Sequence, residues 1–166
     1  IYKLLKVSGK GTNHIIKSVR TVQSVSPLLS IAVFCGTVLS HFGGASVGRE
    51  GAALQLGGGI ATGVGKLFKL NRKEMHIITL SGMSALFSAL FGTPVTAAIF
   101  ALEVICVGTM YYSAIIPTVI SALTAYYVAF LFGVEPVRFA INPQIEAEPF
   151  SFLKVGGLSV LIALLS

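Results

Sequence analysis

Aspartate and tryptophan are both missing from the 166 residues, and charge of either sign is scarce. Every negative side chain is therefore one of six glutamates: Glu50, Glu74, Glu103, Glu135, Glu146 and Glu148. Charged residues make up only 11% of the chain against 54% hydrophobic, and that balance excludes a soluble domain of this length. A mean hydropathy of +0.87 instead reads as a membrane protein. Cysteine is nearly absent as well. Cys35 and Cys106 lie within apolar segments without metal-ligand spacing and read as small buried hydrophobes, so neither a metal site nor a disulfide is expected. The net charge of +6 does not point to nucleic acid, because the bases form no long run and flank apolar segments. No Gly-Lys-Ser/Thr follows the glycines, which excludes a phosphate-binding loop. No His–Glu metal motif and no nucleophile–base pair is present, so an enzyme is not expected and no cofactor is implied. The N-terminal IYKLLKVSGKG lacks a signal-peptide pattern; both ends read as cut, so a partial chain is expected.

What is present is a series of apolar segments at 27–42, 51–65, 75–91, 94–107, 109–132 and 152–166. A hydrocarbon core of about 30 Å needs about 20 helical residues. The 51–65 segment offers only about 22 Å, which predicts helices that start or stop within the membrane. Thr12-Asn13 is a candidate N-cap for a short helix over 13–22. Ser26-Pro27 opens the next helix and Gly43-Gly44 ends it. Asn71 caps a helix over 72–91 that carries its charges at the start. Gly92-Thr93-Pro94 is a tight break before a new helix, and Pro117 is expected to kink 109–132. Lys66, Lys69, Arg72 and Lys73 make the 66–73 loop cytoplasmic, whereas the acidic 133–149 loop is expected outside. Glycines at 57–59, 63 and 65, and Ser81, Gly82, Ser84, Ala85, Ser88 and Ala89, allow close helix packing.

Within this apolar chain, residues 43–59 read GGASVGREGAALQLGGG. A charge at a bilayer centre costs about 2.5–3.5 kcal/mol on insertion scales, so Arg49 and Glu50 need a task. The helix from Gly51 directs free N–H groups and partial positive charge back towards them, a setting that holds anions. An ionised Glu50 can occupy the anion's own place, and its protonation frees the site. The competing reading is a self-contained Arg49–Glu50 ion pair.

GREGA followed by ALQLGGGIA resembles the GREGP motif and following helix of the CLC chloride channel and antiporter family. Residues 85–103, ALFSALFGTPVTAAIFALE, resemble that family's next signature, a small-residue helix broken at a Gly-x-Pro turn and followed by a helix ending in Phe-x-x-Glu. The resemblance runs from about Gly9 to the end. It implies an all-α polytopic membrane protein of CLC-type fold with broken and half-membrane helices. Over 1–166 it implies one inverted-repeat half, namely the first repeat without its earliest helices plus the start of the next helix, and no soluble domain.

The resemblance also assigns roles. Glu50 matches the external gating and proton-binding glutamate, and Gly48, Arg49, Gly51 and Ala52 match the loop and helix start that face the anion. Ala52 replaces the motif's usual proline. Gly9, Lys10, Gly11, Thr12 and Asn13 fall where the family carries GSGIP, so Lys10 stands where a serine hydroxyl helps hold the anion. That departure keeps fluoride open beside chloride, the first expected anion. Glu103 matches the first of two acids at an inner helix end, and Val104 occupies the position of the antiporters' proton relay, as in the family's channels. The implied partners are small anions, protons, lipid and a second copy in a homodimer. Three functions follow: a CLC anion channel or transporter, a fluoride-exporting relative, and a non-transporting scaffold whose Gly-rich helices only pack.

Overall fold

Asn71 and Glu74 start the longest helix by a reciprocal pair of bonds. The Glu74 N–H donates to Asn71 Oδ1 at 3.0 Å, and the Asn71 N–H donates to Glu74 Oε2 at 2.8 Å. This capping box satisfies two of the orphan donors of the first turn. The computed structural model describes residues 27–105, 111–136 and 149–165. Among them there is no strand. The helices are α1 (Pro27–Phe42), α2 (Glu50–Leu67), α3 (Arg72–Phe91), α4 (Pro94–Ile105), α5 (Ile115–Leu131) and α6 (Pro149–Leu165), with a 3₁₀ turn at Tyr112–Ala114 before α5.

Two differences from the sequence reading have local causes. The 51–65 segment extends at both ends into the 18-residue α2, about 27 Å long at the usual rise. The charged Glu50 and Lys66 that bound the apolar run are themselves helical, each at the end of the dipole that suits its sign. Pro117 lies in the first turn of its α-helix rather than in the interior. It is the third residue of α5, where its missing N–H would have had no partner. Thr118 Oγ1 instead donates to the carbonyls of Ala114 and Ile115, both at 2.8 Å, and so joins the 3₁₀ turn to the helix.

Helix α3 is the centre of the bundle. It packs against α2, α4 and α5, while α1 packs on α2 and α5 on α4. At the α2–α3 crossing two glycines face each other: a β-carbon on Gly57 would overlap the Gly82 carbonyl, and one on Gly82 would overlap Ala61. Further along, Thr62 and Thr79 hydroxyls lie 3.3 Å apart. The α3–α5 seam is stitched by serines. Ser84 Oγ donates to Thr118 O at 3.2 Å, Ser88 Oγ to Ala122 O at 2.8 Å, and Ser121 Oγ to Ser81 O at 3.0 Å. The 84/118 and 88/122 pairs advance together, so α3 and α5 run in the same direction. Helices α1 and α2 run oppositely, and Ser30 Oγ donates to Gln55 O at 3.3 Å between them. Such small-residue approaches and interhelical bonds hold membrane bundles, where lipid offers no hydrophobic gain for bringing helices together.

The apolar core is formed by Leu29 and Val33 of α1, Leu54 of α2, Leu80 and Met83 of α3, and Ala101 and Leu102 of α4. Outside it, Leu28, Ile31, Phe34, Ile60, Ile116 and Ile120 are each at least half exposed, a burden of bare apolar surface foreign to soluble domains. Helices α3 and Tyr112–Leu131 are long and apolar enough to cross a bilayer. The 12 described residues of α4 span about 18 Å. Exposed along residues 152–165, α6 makes no extensive contact with the other helices.

Candidate anion-binding helix start

The topology gathers one end of the bundle at the start of α2. The C-terminal ends of α1, α3 and α5 lie there, with the first residues of α2. An apolar cleft of about 330 Å³ records this convergence: Thr37, Arg49, Ala52, Leu86, Leu90 and Val134 are among its walls. The basic turn between α2 and α3 lies at the opposite end.

Helix α1 stops by a Schellman motif. The Ala45 N–H donates to Ser40 O and the Gly44 N–H to His41 O, both at 3.0 Å, with Gly44 at φ +77°. The chain then runs through an exposed loop to Arg49, the N-cap of α2. Arg49 has helical backbone angles (φ −95°, ψ −19°) and supplies no side-chain cap. The first bond of the helix is from the Ala53 N–H to Arg49 O at 2.9 Å. The N–H groups of Glu50, Gly51 and Ala52 therefore face forward as the positive end of the α2 dipole.

Glu50 is exposed and reaches back along the preceding loop: its Oε2 lies 2.8 Å from the place a β-carbon on residue 48 would occupy. Gly48 is thus what lets the carboxylate fold over the loop. Arg49 goes elsewhere. It lines a cleft of about 440 Å³ with Thr37, Val38, His41 and Phe42. The two side chains do not pair, so the self-contained ion pair is not formed. Gly51 and Ala52 are half-buried, and Ala52 packs against the core.

Glu103 lies ten residues into α4, about 14 Å along the axis from Pro94, towards the basic end of the bundle. It is half-buried, and Val104 beside it packs on the core. The structure therefore brings Gly48, Arg49, Glu50, Gly51 and Ala52 together and sets Glu103 and Val104 apart from them. Gly9, Lys10, Gly11 and Thr12 lie outside the described residues, as do the 13–22 helix, Cys106 and most of the 133–149 loop.

The profile of the voltage-gated chloride channel family matches residues 1–166. The chain belongs to this family. As a CLC protein it is a membrane protein, and its described helices have the CLC antiporter fold. It is 37% identical over 155 residues to a protein of Pseudomonas syringae pv. tomato named "Chloride/fluoride channel protein", covering 93% of this chain and 34% of that protein. It is 26% identical over 130 residues to an uncharacterized protein of Methanocaldococcus jannaschii, covering 77% of this chain and 32% of that one. Its helices match a crystal structure described as a CLC-type fluoride/proton antiporter, with a TM-score of 0.75 and 31% identity over 92% of this chain and 38% of that one. The CLC chain thus spans about a third of the length of the curated relatives it matches.

Groups that the motif does not mark also flank the start of α2. The His41 ring Nδ1 is 2.7 Å from Thr37 O, which leaves Nε2 for the Arg49 cleft. The signal in the sequence is the four-residue spacing of Thr37 and His41, one turn apart on α1. At the other end His76 stacks on Tyr111 with ring centroids 4.7 Å apart, a packed histidine rather than a ligand. Among the described residues no group of His, Cys or Glu is placed to hold a metal ion.

Proposed function

We propose that the full-length protein carries small anions across a membrane along a CLC-type path, with Glu50 as its gate and proton-exchanging group. The observation that carries this reading is an exposed carboxylate on the first residue of a helix whose N-cap residue leaves the first N–H groups free, its Oε2 reaching back beside Gly48. An ionised Glu50 and a transported anion compete for those donors. Protonation neutralises the carboxylate, weakens its hold and admits the anion. Gly48, Arg49, Gly51 and Ala52 form the outer surround. Gly9, Lys10, Gly11 and Thr12 form the inner part of the path, where Lys10 adds a cation in place of a hydroxyl. Val104 denies the path a second acid beside Glu103, so protons are exchanged at Glu50 rather than relayed along a pair.

Fluoride is the favoured anion. The matching antiporter structure is described by fluoride alone, and the Pseudomonas relative by chloride and fluoride together. In this reading the basic 66–73 turn is cytoplasmic, the 133–149 loop is external, and two copies form a dimer through the exposed apolar faces of α4 and α5. Efflux of fluoride and chloride from liposomes containing the full-length protein tests the assignment. Fluoride efflux is expected to exceed chloride efflux. A chloride preference would replace fluoride with chloride, and no flux of either would favour the packing-only scaffold.

A further inference from the structure

The turn between α2 and α3 carries a backbone feature that its sequence does not require. Helix α2 ends in a Schellman motif: the Leu70 N–H donates to Gly65 O at 3.0 Å and the Lys69 N–H to Lys66 O at 3.1 Å. The residue in the left-handed position is Lys69, at φ +52°, where glycine is the ordinary occupant. The two other motifs of this kind, at the ends of α1 and α5, use Gly44 and Gly133. A lysine retained in a conformation that disfavours side chains points to a use for its cation.

The surroundings supply that use. Lys66, Lys69, Arg72 and Lys73 are all exposed, and no acid lies among residues 66–73. Between the lysines, Leu67 and Phe68 are 78% and 70% exposed, so two apolar side chains stand beside four cations. The capping box takes the N–H groups of Asn71 and Glu74, and the remaining first-turn donors of α3 face the same side with the positive end of its dipole. Cations that reach phosphate next to apolar groups that enter the acyl boundary are the chemistry of a bilayer surface carrying negative lipid.

We propose that the 66–73 turn is a binding surface for anionic phospholipid headgroups. Lys66, Lys69, Arg72 and Lys73 hold the phosphates, and Leu67 and Phe68 enter the interface. Membrane orientation by basic loops would place the turn on one side without any preference among lipids, so the two roles separate by experiment. The full-length protein is reconstituted in mixed phosphatidylglycerol and phosphatidylcholine, extracted, and its retained lipids are counted by native mass spectrometry at several salt concentrations. Retention of phosphatidylglycerol over phosphatidylcholine is expected, and it should fall as salt rises. Each lysine removed, in Lys66→Gln, Lys69→Gln and Lys73→Gln, is expected to lower the preference by about fivefold at low salt. Lys69→Gly separates binding from folding: it relieves the left-handed strain, so thermal stability in neutral lipid holds or rises while the preference still drops. Lys154→Gln, a change to a cation on α6, leaves the preference as it was. Equal retention of the two lipids by the unsubstituted protein, or an unchanged preference when Lys66→Gln, Lys69→Gln and Lys73→Gln are combined, overturns the proposal.

Discussion

A β-carbon at residue 48 would stand 2.8 Å from Glu50 Oε2, closer than real β-carbons approach other atoms. The clashing atom is the tip of a flexible side chain, so Gly48→Ala moves the carboxylate rather than unfolding the helix. Gly48→Ala in the full-length protein is therefore expected to change the pH dependence of anion flux while thermal stability shifts by no more than about 0.5 kcal/mol, the usual range for surface positions. Paired flux and unfolding measurements check it, and a stability loss with unaltered gating would break the link between Gly48 and Glu50. Gly57 is the opposite case. A β-carbon there meets the backbone carbonyl of Gly82, which cannot step aside. Gly57→Ala is expected to cost about 1–3 kcal/mol. Gly58→Ala, facing the flexible Met83 side chain at 3.2 Å, should cost less. Thermal unfolding of the two variants gives the comparison.

Among the elements, the α3–α5 seam deserves the first test because serine hydroxyls rather than large side chains define it. Ser88 is fully buried, and its Oγ donates across the seam to Ala122 O at 2.8 Å. Ser88→Ala removes that bond and is expected to lower stability by about 0.6 kcal/mol, the mean for interhelical bonds in a membrane bundle. Thr124, whose hydroxyl bonds to Ile120 O of its own helix at an exposed position, is the control, and Thr124→Ala should cost less. Equal losses would show that the seam hydroxyl adds nothing.

Much at this scale was readable from sequence. Local chemistry announces itself, and Asn71, the Gly43-Gly44 stop and the Gly92-Thr93-Pro94 break all mark true helix ends. The ends of α2 were misread because hydropathy truncates a segment at its charges, while the helix itself includes Glu50 and Lys66. The place of Pro117 in a first turn was not legible, because the sequence does not reveal that α5 begins only two residues earlier. The pairing of Ser84 with Thr118, and of Gly57 with Gly82, was not legible at all. Small residues state that a close approach is possible, but not which helix makes it.

Over the whole molecule, α1 to α5 form one CLC-type bundle in which the start of α2 and the 66–73 turn occupy opposite ends. The candidate site was legible as far as the GREGA motif reaches. The divergence of Arg49 from Glu50 and the placing of His41 beside Arg49 depend on how α1 turns back onto α2, which the motif does not encode. The chain supplies about a third of its curated relatives' length, so transport is a property to be measured on the full-length protein. The most direct test of the central claim compares the full-length protein with its Glu50→Gln variant in liposomes, following fluoride efflux across a range of external pH. Flux of the unsubstituted protein is expected to rise as the external solution is acidified, and Glu50→Gln, with a permanently neutral side chain, to lose this pH dependence. An unchanged pH profile in the variant would contradict Glu50 as the gate.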